Sequence, residues 1–155
     1  ESIRALLTEA GDNPALAESA FEMFHAERQR VQFFDDALPA LERLSQRWPL
    51  VAVSNGTADL VQTGLSAYFV AGVSAHSFGV AKPDPLIFEE AARLAGVELS
   101  QVLHVGDDAE LDGKGALQSG MQAAWINRFD QPWTHTEAPH VEVKELLALC
   151  DALGV

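Results

Sequence analysis

Apolar positions along this chain change their period about a third of the way in. Up to Ser45 they recur every three or four residues, which is the spacing of one helical face. Ile3, Leu6, Leu7 and Ala10 predict a first helix that Gly11 stops. Asn13 as N-cap and Pro14 in the first turn start a second helix, running to about Arg30. Its apolar face is expected to be Leu16, Ala20, Phe21, Phe24 and Val31. These two helices predict a small bundle laid over something else. Phe33 and Phe34 lead into Asp35-Asp36, a cap for a third helix carrying Leu38, Leu41 and Leu44.

From Trp48 the pattern becomes short apolar runs alternating with helical stretches. Leu50–Val53 reads as a buried strand ending in Ser54-Asn55-Gly56-Thr57, followed by a helix through Leu60, Val61 and Leu65. A weaker strand centres on Val73. Asp84 and Pro85 cap a helix over Leu86–Ala95, which Gly96 ends. Val102–Val105 is a second buried strand, with a helix to about Ser119, and Gln122–Ile126 is another. Residues 127–140 read as a polar loop, and residues 143–153 as a closing amphipathic helix. Alternation of this kind predicts an α/β fold: a parallel, Rossmann-like sheet with helices on both faces.

Composition narrows the function classes. A chain of 155 residues with 48% hydrophobic and 21% charged residues is long enough for one well-cored globular unit. A net charge of −13 argues against nucleic acid and against anionic membrane surfaces as partners. No apolar run approaches the roughly 18 residues of a membrane span. Cys150 is the single cysteine, so no internal disulfide forms, and a cytoplasmic location is expected.

The candidate chemistry lies just past the strand ends, where open α/β sheets bind ligands. In Gly106-Asp107-Asp108 two carboxylates are adjacent and a third, Asp112, follows about one turn later. Such crowding repels unless a cation sits within it, and an oxygen-rich set without Cys suits Mg²⁺. The plainer reading is that Asp107 and Asp108 only cap the next helix. Ser54, Asn55 and the Gly56 N–H suit three oxygens of a phosphate, although the same triplet is also an ordinary turn. Lys82 lies on a loop stiffened by Pro83 and Pro85, and it is one of only three lysines. It could equally be a solvated surface lysine. His104 on its strand, and Trp133 and His135 in their loop, are expected to be packing and surface residues.

Ser54-Asn55-Gly56, Lys82-Pro83 and Gly106-Asp107 with Asp112 five residues on stand in the order and spacing of the haloacid dehalogenase-like hydrolases. The chain resembles that superfamily over about residues 33–155. The resemblance implies a Rossmann-like core, a mobile cap and, for most members, Mg²⁺-dependent phosphatase activity. It implies that Ser54 and the adjacent backbone hold the transferring phosphoryl group and that Lys82 neutralises charge. Asp107 becomes a metal ligand, and Asp112 either serves the metal or orients Lys82. Residues 1–32 then form the later part of a helical cap.

The family's first motif, a strand ending in Asp-x-Asp that supplies the nucleophile, has no counterpart before Ser54. In the family that strand lies between those ending at Val53 and Val105. Residues 1–155 are therefore expected to be an inactive piece of a longer chain, with open sheet edges prone to self-association. The leading expectation is a phosphoric-monoester hydrolase acting on a small phosphorylated metabolite. A 2-haloacid dehalogenase is the alternative enzyme, and a catalytically dead phosphate- or metal-binding module is the alternative outside enzymology.

Overall fold

A computed structural model describes residues 2–57 and 59–155, with Ser2 described by its backbone alone. Helix α1 (Ser2–Ala10) is followed by a 3₁₀ turn at Pro14–Leu16 that Asn13 caps through its side chain. Next come α2 (Ala17–Arg28), α3 (Ala37–Ser45), β1 (Val51–Ser54), β2 (Ala71–Ser74) and the single turn α4 (Ala75–Phe78). Helix α5 (Pro85–Ala95) starts on Asp84, whose side chain accepts the Leu86 N–H, and ends on Gly96 at φ 73°. The chain closes with β3 (Leu103–Gly106), α6 (Gly115–Gln118), β4 (Gln122–Ile126), β5 (Val141–Val143) and α7 (Leu146–Leu153).

All strand pairs are parallel, but the strands form two groups: β1 with β2, and β3–β4–β5. Residue alternation sorts the two faces. Ala123 of β4 packs with α5 and α6 residues such as Ile87, Phe88 and Ala116, as do Val51, Val53 and Val73 from the first pair. Ala124 and Ile126 point the other way, toward Leu149 of α7 with Leu103, Val141 and Val143. Ala40 and Leu44 of α3 meet Cys150 of α7 beside Leu50. Helices thus cover both faces, as parallel strands require.

Between the groups lies a cavity of about 380 Å³. Consecutive residues of both flanking strands line it: Val51, Ala52 and Val53 on one side, and Leu103, His104 and Val105 on the other. Side chains of consecutive strand residues point to opposite faces, so the cavity meets the strands edge-on. Among the described residues β1 pairs only with β2, and β3 only with β4. β1 and β3 thus flank an open slot.

Several sequence expectations are corrected. The aromatic face of α2 is not covered: Phe21, Phe24 and Leu16 are each more than half exposed. Residues 60–64 form successive turns rather than a regular helix; the Asp59 carboxylate caps the Val61 and Gln62 N–H groups. The segment read as loop and then helix contains β5, and α7 begins only at Leu146. After β3 the chain passes through a π-helical turn, Ala109–Lys114, before its short α-helix.

Candidate active site

The carboxyl ends of β1 and β3 and the loop before α5 converge on Lys82. Its ammonium donates to Asp112 Oδ1 at 2.6 Å and to the Val53 carbonyl at 3.3 Å. Residues 30 apart in sequence therefore form a buried ion pair, with side chains 12% and 7% exposed. Lys82 is not a surface lysine. The His104 ring Nε2 stands 2.9 Å from the same Asp112 oxygen, and the Asp108 N–H donates to the other at 3.2 Å. Burial alone would raise the Asp112 pKa, but bonding to His104 and the Lys82 charge outweigh it and hold the carboxyl at about 2. Asp112 is ionised and its oxygens are occupied. These contacts let Asp112 orient Lys82, one of the two roles open to it.

Glycines make that approach possible. A Cβ on Gly106 would overlap the Asp112 carboxylate, and one on Gly115 would press on Phe88 and Pro83 at 3.0 Å. A Cβ on Gly113 would collide with Trp133, which packs 5.1 Å from Trp125 between ring centroids. Trp133 is thus a wall of the site's supporting turn, not a surface residue. His135 stacks edge-on against it.

The acidic turn divides its carboxylates by task. Asp108 is a helix cap, with its side chain accepting the Glu110 and Leu111 N–H groups at 2.9 and 2.8 Å. Asp107 is anchored through its backbone, where its carbonyl accepts the Trp125 indole N–H at 2.9 Å. Its carboxylate is exposed and makes no hydrogen bond or ion pair among the described residues. No cluster of three or more His, Cys, Asp or Glu side chains stands ready for a metal among those residues. The set fits Mg²⁺ nonetheless, because that ion keeps several waters and takes only one or two protein carboxylates. Asp107 would hold it.

At the end of β1 the roles differ from expectation. The Asn55 carboxamide receives the Lys82 N–H at 2.7 Å and donates to the Lys82 carbonyl at 3.0 Å, so it clamps the lysine's backbone. The Ser54 hydroxyl accepts the Gly56 N–H at 2.9 Å, which leaves its own proton to donate outward. Sequence reasoning also missed His104 as a partner of Asp112. The signal was available: His104 and Gly106 are two apart on one strand and so share a face.

A loop lysine is thus locked to a buried aspartate on a parallel α/β scaffold. The family model for haloacid dehalogenase-like hydrolases matches residues 1–120, and the chain belongs to that family. It is 35% identical to the 5-amino-6-(5-phospho-D-ribitylamino)uracil phosphatase YigB of Escherichia coli, over 96% of this chain and 66% of that one. It is 32% identical to phosphoserine phosphatase of Thermus thermophilus, over 92% of this chain and 60% of that one. The crystal structure of a 2-haloacid dehalogenase from Pseudomonas syringae superposes with a TM-score of 0.90 at 37% identity, covering 97% of this chain and 67% of that one. The chain therefore spans about two thirds of the length of these relatives. Among the described residues no helix is long and apolar enough to cross a membrane.

Proposed function

We propose that this chain forms the core of a cytoplasmic, Mg²⁺-dependent phosphoric-monoester hydrolase acting on a small phosphorylated metabolite. The observation that carries this reading is the Lys82 ammonium, held between Val53 and Asp112 with the exposed Asp107 carboxylate on the neighbouring loop. Lys82 has a third donor left for a phosphoryl oxygen, and the Ser54 hydroxyl supplies another. Asp107 would hold Mg²⁺, which supplies charge neutralisation at the phosphoryl group. Asn55 and Asp112 keep Lys82 in place. The nucleophile belongs, by family resemblance, to an Asp-x-Asp strand, and the slot between β1 and β3 suits such a strand. Phosphatases among the relatives support the reaction class.

Residues 1–155 alone are expected not to hydrolyse p-nitrophenyl phosphate at any Mg²⁺ concentration, and their two open edges are expected to pair with a second copy. Mass in solution and a turnover assay on these residues test both points. Metal-dependent turnover by a clean monomer would place the nucleophile among Asp12, Asp35 and Asp36 instead. With the slot filled, Mg²⁺ titration by calorimetry should lose most of its affinity in Asp107→Asn and less in Asp112→Asn. A second reading, a 2-haloacid dehalogenase, rests on the Pseudomonas syringae structure. The carboxylate of Asp107 disfavours it, since by family resemblance that chemistry needs no metal. Chloride release from 2-chloropropionate without Mg²⁺ would establish it.

A further inference from the structure

We propose that Arg28, at the end of α2, is a second cation for the phosphoryl group; this rests on the reading of Ser54 and Lys82 as a phosphate site. The protein carries ten Lys and Arg against twenty-three Asp and Glu. Eight of the ten cations are in ion pairs with carboxylates. Among the described residues Arg28 and Arg47 are not. Arg47 lines the groove beside Pro49 and Val70, at the amino end of β1 and far along the strand from Ser54. Arg28 lies at the other end.

One point locates it. The position a Cβ would take on Gly56 is 3.3 Å from Ser54 Oγ and 3.5 Å from Arg28 Nη2. A guanidinium nitrogen and the serine hydroxyl therefore flank a single small space over the glycine turn, one that any side chain at position 56 would fill. The space adjoins two donors of the kind that a phosphoryl oxygen accepts from.

The placement of Arg28 is built in. Gln29, next in the chain and only 8% exposed, donates to the Thr57 carbonyl at 3.0 Å and accepts the Asp59 N–H at 2.8 Å. Both ends of one buried carboxamide thus fasten the end of α2 to the loop that follows Gly56. Phe24, one turn earlier, lies under the guanidinium at 5.4 Å from its ring centroid.

Charge gives the reason for a second cation. Asp112 already pairs with Lys82, so that lysine brings little net positive charge to an anion. Asp107, Asp108 and Glu110 follow on the adjacent turn. Arg28 supplies the uncompensated charge, and because it rides on α2 its engagement depends on how α2 is seated on the core.

The test is binding of inorganic phosphate to the full chain, followed by phosphorus NMR, in wild type, Arg28→Met, Arg28→Lys, Gln29→Leu and Lys82→Met. Arg28→Met should weaken phosphate binding about tenfold and flatten its salt dependence, with an unchanged melting temperature because the side chain is exposed. Arg28→Lys should recover part of the loss, and Gln29→Leu should lose about threefold through a less fixed Arg28. If Lys82→Met abolishes binding while Arg28→Met stays within twofold of wild type, the site stands and the role of Arg28 is overturned. If wild type binds no phosphate, the site reading itself fails and the role of Arg28 falls with it.

Discussion

Two carboxylate–cation pairs are buried at the carboxyl edge of this fold, and they are built for opposite ends. Both Asp36 oxygens accept from Arg128 Nη2, at 3.0 and 2.9 Å, and Oδ2 also accepts the Leu146 N–H at 2.6 Å. The guanidinium also stacks on Phe34, 4.2 Å from the ring centroid. This pair joins the start of α3, the end of β4 and the start of α7. Burial works against the Asp36 carboxylate, yet Arg128 and the Leu146 N–H together leave its pKa below the ordinary value. Lys82 and Asp112 are buried to nearly the same degree. Their cation, however, has three rotatable donors of which two are used, and it sits where two strand ends open. Burial does not separate a staple from a site; the place of the Lys82 ammonium where two strand ends open does.

Neutralising each cation should pull the two apart. With the nucleophile strand in place, Lys82→Met should lower phosphomonoester turnover by about 10²–10³-fold, the usual loss when one preorganised charge-stabilising group is removed. Its cost in stability should be only about 1–2 kcal/mol, because Asp112 keeps His104 and the Asp108 N–H. Urea unfolding beside steady-state kinetics measures both, and a large stability loss with intact turnover would make Lys82 another staple. Arg128→Met should show the reverse: about 3 kcal/mol lost in urea, since Asp36 keeps a single N–H donor, with phosphate binding unchanged.

The smallest effect sharpens the comparison through pH. Asp112 has its pKa lowered from 3.8 to about 2, so its ionised form favours the folded state. That contribution, on the order of 2 kcal/mol, is complete above pH 3.8 and is lost as pH falls toward 2. Asp36 is shifted in the same direction and adds to the same acid limb. Stability measured between pH 2 and 5 should fall less steeply in Asp112→Asn than in wild type. An identical slope would mean that Asp112 is not held ionised by Lys82 and His104.

Local chemistry made much of this molecule legible in advance. Asp84-Pro85 and Gly96 bound α5 because capping and left-handed termination depend on neighbouring residues alone. The apolar runs ending at Val53 and Val105 became strands, and Lys82 meets both Asn55 after β1 and Asp112 after β3.

What the chain's order could not convey is which atoms meet. Periodicity says which face of α2 is apolar, not whether anything covers it, and Phe21 and Phe24 are open. It passed over β5, whose three residues owe their strand form to pairing with β4 rather than to their own pattern. Asn55 read as a phosphate donor from its place in a triplet, but the lysine backbone 27 residues away took both ends of its carboxamide. His104 became a partner of Asp112 for the same reason. Secondary structure is written in neighbours a few residues apart, whereas the charge state and direction of a side chain depend on groups brought near only when the whole chain packs.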